Sequence, residues 1–175
     1  MLNTAKVAVS LVLFIVWVAL SSVGLFYYGN QHYGNFDANT NWQTSVAGPL
    51  NTAALGITAQ AGIQVVHVQQ GGCICNTVAN QHIALFSREY AVPQPRQYHR
   101  QAVDIAATGF SVPATPAVLI FNDGALIYAG PYATGPLCSA ADSVIAPLLL
   151  KQIQLPGVWL NGEAKACRCV VKQAL

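Results

Sequence analysis

Residues 7–26, VAVSLVLFIVWVALSSVGLF, form a run of twenty residues without a charge. About twenty apolar residues are what an α-helix needs to cross the hydrocarbon core of a bilayer. A core helix of a soluble domain would show a polar face, and none exists along this run. Tyr27 and Tyr28 follow it, as an interfacial aromatic pair would. Lys6 and the amino terminus are the only positive charges before the run, and the next basic residue is Arg88. The positive-inside rule therefore leaves 1–6 in the cytoplasm, makes 7–28 a transmembrane anchor and exports the remainder. The competing reading is a cleaved signal peptide ending near the small residues Ala19 and Ser21. Either way the rest of the chain reaches an oxidising compartment, where disulfides form.

The 175 residues leave room for one ordinary domain beside that segment. Charged residues are 8 % and the net charge is +2, so no electrostatic case exists for a nucleic-acid partner. Residues 29–48 are polar and read as a linker. Residues 49–61 are a weak helix candidate, with Pro49 in the first turn. IQVVHVQ, 63–69, is β-branched and glycine-bounded, hence a strand. Gly71 and Gly72 turn the chain into a helix over 76–90 that ends before Pro93. AVDIA, 102–106, reads as a second strand. AVLIF, 117–121, reads as a buried central strand, and NDG, 122–124, as a hairpin turn into a strand over 125–129. Ser139 and Asp142 signal a helix running to Ile153, kinked at Pro147. A strand–helix–strand unit asks for parallel pairing, so the expectation is a small α/β domain over 49–155. The tail, 156–175, packs on it.

Five cysteines remain to be placed: Cys73, Cys75, Cys138, Cys167 and Cys169. They form two C-x-C pairs, Cys73/Cys75 and Cys167/Cys169. A cysteine at a helix start meets unsatisfied N–H groups and the positive end of the helix dipole, which favours thiolate. A thiolate attacks a partner disulfide, and a second cysteine resolves the product. A direct Cys73–Cys75 bond would need a tight bend. The bland alternative is a set of structural staples to Cys167 or Cys169. A third is a soft-metal site for Cu(I) or Zn built from Cys73, Cys75, Cys167 and Cys169, although C-x-C departs from the usual zinc spacing. Five thiols leave one unpaired, and Cys138 is the expected spare. His67, in the strand beside the motif, is either a proton acceptor or a satisfied structural residue. His82 shares the helix face of Cys75 but lies about two turns, roughly 10 Å, away.

A strand leading to a cysteine motif at a helix start, followed by TPAVLIFNDGALIYAG from Thr115, resembles the thioredoxin fold over roughly residues 60–153. The resemblance implies a cis-proline at Thr115–Pro116, followed by a central strand, a short turn and an edge strand. It also implies that Pro116 faces the cysteine motif and that neighbouring backbone groups receive an extended partner chain. With its anchor, the chain is similar to membrane-anchored bacterial thioredoxin-like proteins carrying C-x-C. The implied activity is thiol–disulfide exchange or electron delivery to a partner protein. Cys73, Cys75, Thr115 and Pro116 form the site, and no cofactor is required. The implied location is the bacterial inner membrane, with the domain in the periplasm. This chain departs from the family's C-x-x-C by one residue, and strand 63–69 carries His67 but no carboxylate. The other functions open at this point are the metal-handling module and a non-catalytic, disulfide-stapled interaction domain.

Overall fold

The computed structural model describes residues 4–44, 50–57, 62–86, 88–90, 95–135 and 137–171. Two compact units result, one ending at His32 and one beginning at Tyr33.

The first unit is a single helix, α1 (Thr4–His32), with no buried residue. Its 29 residues span about 43 Å, and by length and composition it is able to cross a membrane.

The second unit is mixed α/β. It begins with β1 (Tyr33–Asn35) and α2 (Asn41–Thr44), followed by a single 3₁₀ turn at Ala53–Leu55. The strand β2 (Ile63–Gln69) leads into α3 (Asn76–Phe86), then β3 (Arg96–Gln101) and α4 (Ala102–Ala106). Next come β4 (Ala114–Thr115), β5 (Ala117–Asn122) and β6 (Ala125–Gly130). A 3₁₀ turn at Ala140–Asp142 precedes α5 (Ala146–Leu149), and the tail supplies β7 (Trp159–Leu160), β8 (Lys165–Cys167) and β9 (Cys169–Val170).

The main sheet has the order β3-β2-β5-β6-β7. The β2–α3–β3 crossover is parallel, as strand–helix–strand connections require. The β5–β6 hairpin turns through Asp123 and Gly124, both at positive φ, as the NDG motif demands. Successive residues of β2 and β5 point to opposite faces, and both faces are covered. On one, Val66, Val68, Leu119 and Phe121 pack with Phe36, Trp42, Ile105 and Phe110. On the other, Val65, Val118 and Ile120 pack with Phe86 of α3 and with Tyr132, Ile145 and Leu149. Burial on both sides explains why AVLIF is apolar without alternation.

Five sequence expectations are corrected. Residues 29–48 are not a linker where they are described. The first of them complete α1, and β1 pairs with the tail strand β8. Phe36 and Trp42 are core residues in that polar stretch, and Asp37 accepts the Trp42 backbone N–H at 2.7 Å. The weak helix over 49–61 reduces to the 3₁₀ turn among the described residues. The second strand lies at 96–101, and 102–106 is helical. There Ala102 and Ile105 are buried three apart, and Gln101 and Asp104 close a capping box. The 139–153 helix breaks into two short pieces, because Pro147 starts α5 in its first turn rather than kinking a longer helix. The hairpin strand β6 is also not an edge, since β7 pairs with it in parallel.

Candidate functional site

The turn out of β2 places the first cysteine pair. Gly72 takes φ +74°, a left-handed conformation that favours glycine. The backbone then tightens into α3. Asn76 N–H donates to Cys73 O at 3.1 Å, and Ala79 N–H donates to Cys75 O at 3.1 Å. Cys75 therefore immediately precedes the first turn of α3, and Cys73 lies two residues ahead of it. The Asn76 side chain secures the turn by donating to Gln70 O at 2.9 Å.

The tail brings the second pair to the same corner. In β8, Cys167 pairs with Tyr33 of β1. In β9, Cys169 pairs with Thr115 of β4. Alternation along the tail puts Cys167 and Cys169 on one side and Arg168 on the other. The Arg168 guanidinium instead approaches Gly34, where a built Cβ would lie 3.0 Å from Nη2. Burial pulls its pKa down, and Asp37 opposes that shift.

Two disulfides join the pairs. Cys73 bonds to Cys169 with Cα atoms 5.9 Å apart, and Cys75 bonds to Cys167 with Cα atoms 5.7 Å apart. Both separations fit ordinary disulfide geometry, which adjacent C-x-C cysteines reach only with a tight bend. The Sγ atoms of Cys73, Cys75 and Cys169 all lie within 4.8 Å of one another. Cys75 is almost fully buried at 1 % exposure, Cys73 is 7 % exposed, and both tail cysteines are half-buried. Cys73 Sγ sits 3.6 Å from Thr115 O, and the Thr115–Pro116 peptide bond is cis. Cys73, Cys75, Thr115 and Pro116 therefore meet at one corner.

Residues 41–171 match a family described as a domain of unknown function, DUF6436. The chain belongs to the DUF6436 family. No curated protein and no solved structure matches it.

The cysteine corner of this DUF6436 domain backs onto a small cavity of about 10 Å³, lined by Cys75, His82, Pro116, Tyr132, Cys138 and Cys167. That is room for about one water molecule and not for an organic ligand. Cys138 is the free cysteine and is buried. Its Sγ accepts the Cys167 N–H at 2.7 Å, and burial raises its thiol pKa. It steadies β8 and is poorly suited to attack anything. His82 is buried, its Nε2–H donating to Cys138 O at 2.8 Å. Among the described residues its Nδ1 and the Thr115 hydroxyl are buried without a hydrogen-bond partner.

His67 is satisfied on both nitrogens. Nε2–H donates to Gln97 Oε1 at 3.0 Å, and Nδ1 accepts the Tyr132 hydroxyl at 2.8 Å. Burial lowers its pKa to about 4, with the neighbouring His99 adding to the effect and Gln97 opposing it. Burial likewise holds the Tyr132 hydroxyl protonated, well above its ordinary range. This pair is a neutral, packed polar contact, with the two rings stacked 5.9 Å apart. Of the structural partners, Tyr132 and the packing of Cys138 on β8 escaped the sequence, because neither sits in a motif.

Proposed function

We propose that this protein is a membrane-tethered thiol–disulfide exchange protein of thioredoxin-like architecture. Its domain works in the bacterial periplasm, with α1 as an uncleaved anchor. The location rests on the basic charge preceding the apolar run 7–26 and on a disulfide-bonded fold, which needs an oxidising compartment. The architecture rests on the order β2–α3–β3 followed by an antiparallel hairpin, with the cysteine motif at the start of α3 and Thr115–Pro116 beside it.

One observation carries the function: the two disulfides lie side by side, with three of their sulfurs within 4.8 Å. Staples need no such contact, whereas exchange needs sulfur within reach of sulfur. Cys73 is the exchanging residue. A partner thiolate attacks Cys73 Sγ, the Cys73–Cys169 bond breaks, and Cys169 leaves as thiolate. The second thiol of the partner dithiol then attacks the mixed disulfide and releases Cys73. The partner gains one disulfide, Cys73 and Cys169 are reduced, and two protons pass from the partner's thiols to theirs.

The test is the midpoint potential of Cys73–Cys169 in dithiothreitol buffers, read by alkylation and mass spectrometry. An exchangeable bond titrates above about −300 mV, while a structural staple lies below that value. A midpoint below it sinks the exchange reading in favour of a non-catalytic, stapled interaction domain. The same sulfur cluster also supports a second reading, a Cu(I) or Zn site on Cys73, Cys75, Cys167 and Cys169 in the reduced protein. That reading expects one metal per reduced chain, lost in Cys73→Ser.

A further inference from the structure

A cleft of about 620 Å³ opens between residues 35–42 and residues 159–163. That volume falls within the range of small-ligand sites. No cysteine lines it, nor does Thr115 or Pro116, so it is separate from the corner described above.

Its walls are fixed by the protein's own hydrogen bonds. The N–H groups of Phe36 and Asp37 donate to Ala164 O and Gly162 O, both at 2.8 Å. Asn161 N–H donates to Ala129 O of β6, also at 2.8 Å. Gly162 permits this close approach, since a Cβ there would lie 2.7 Å from the Asp37 Cβ. The Asp37 carboxylate accepts the N–H groups of Asn39 and Trp42 at 3.3 and 2.7 Å. Trp42 is anchored in turn, its indole N–H donating to Ser111 O at 2.8 Å. The exposed Thr40 also lines the cleft and takes φ +55°. A β-branched residue adopts that conformation only where its surroundings impose it, and such positions cluster at ligand sites.

The lining chemistry selects a class of ligand. Trp159 is braced edge-to-face on Tyr128, with ring centroids 5.3 Å apart, yet remains 37 % exposed. Around it stand the amides of Asn35 and Asn161, the Thr40 hydroxyl and the carboxylates of Asp37 and Glu163. These groups supply both donors and acceptors. Among the described residues no Lys, Arg or His lines the cleft, so an anion finds no counter-charge there. Arg168 lies within electrostatic reach of Asp37 and offsets its charge, so a cation finds no strong field either. The cleft suits a neutral molecule with an apolar face for an indole and a belt of hydroxyls for amides and carboxylates. A sugar ring has both.

We propose that this cleft is a saccharide-binding site, in which a neutral sugar ring stacks on Trp159 and its hydroxyls bond to Asp37, Asn161 and Glu163. The site stands independently of disulfide exchange.

The full-length protein, in a detergent without a sugar headgroup, is titrated calorimetrically with cellotriose, maltotriose and tri-N-acetylchitotriose. Saturable binding of at least one is expected. Trp159→Ala is expected to weaken it about tenfold, the stacking contribution of one indole, whereas Trp159→Phe keeps an aromatic face and loses no more than about threefold. Glu163→Gln removes the charge but not the hydrogen bonding and is also expected to lose only about threefold. Asn35→Trp fills the cleft from an exposed position and is expected to abolish binding, which keeps the test open if Trp159→Ala does not fold. No binding of any of the three at about 10 mM overturns the proposal. Binding unchanged in both Trp159→Ala and Asn35→Trp places the saccharide elsewhere and overturns the site. Tetramethylammonium is expected not to compete; displacement of the saccharide by it, lost in Glu163→Gln, overturns the neutral-ligand assignment in favour of a cation held on the indole.

Discussion

The two disulfides are nested, and nesting makes their contributions to stability unequal to a simple sum. They close 96 and 92 residues of separation, Cys75–Cys167 lying inside Cys73–Cys169. Either bond alone closes nearly the whole domain, and chain entropy assigns a loop of that size about 4.7 kcal/mol. Once one is in place, the other closes only the ring formed by 73–75 and 167–169. The same relation gives that six-residue ring about 2 kcal/mol. Replacing Cys73 and Cys169 together by alanine should therefore cost about 2 kcal/mol, and so should replacing Cys75 and Cys167. Replacing all four should cost about 7 kcal/mol, well beyond the sum of the pairs. The measurement is urea unfolding of the full chain in micelles, followed by near-ultraviolet circular dichroism. Two equal costs of 4–5 kcal/mol that simply add would refute the nested pairing. A negligible cost for all four would show that the bonds do not constrain the unfolded chain.

His67 makes the domain acid-sensitive in a defined window. Its pKa is about 4 when folded against 6.5 when unfolded, so the unfolded chain binds the proton first as pH falls. Stability should drop between pH 6.5 and about 4, by up to about 3 kcal/mol, and a His67→Gln variant should show a flatter urea profile across that window. Gly162→Ala places a Cβ 2.7 Å from the Asp37 Cβ and should cost about 1–3 kcal/mol. Gly71→Ala, with nothing within 4 Å, serves as the neutral comparison in the same melt. Cys138 should react with maleimide at pH 8 about a hundredfold more slowly in the native protein than in urea, because it is buried and its pKa is raised. Rapid native labelling would contradict that environment.

Local pattern was enough for much of the chain. An uncharged run of twenty residues has no stable option but an apolar helix, and α1 covers it. Residues 63–69, 117–121 and 125–129 announce strands because β-branched or continuous apolar runs between turn residues have few other uses. The spare cysteine, Cys138, was also legible, since five thiols cannot all pair. Propensity misled at 102–106, where two buried residues at helical spacing and a capping box outweigh the β-branched content. It misled again at 139–153, where the proline permits only a short helix after it. Residues 33–44 looked like a linker because their polar composition hides Phe36 and Trp42, whose value appears only when the sheet face they cover exists.

The cysteine motif divides in the same way. Sequence by itself determined that Cys73 and Cys75 stand between a strand and a helix start, because glycines, β-branched residues and helical periodicity act within a few residues. Only tertiary structure decided their partners. Thiols more than ninety residues apart pair according to where β8 and β9 dock, and docking is set by β1 and β4, two strands of three and two residues with no signature of their own. Disulfide choice follows distance in space, and the long-range contacts that set it leave no local trace.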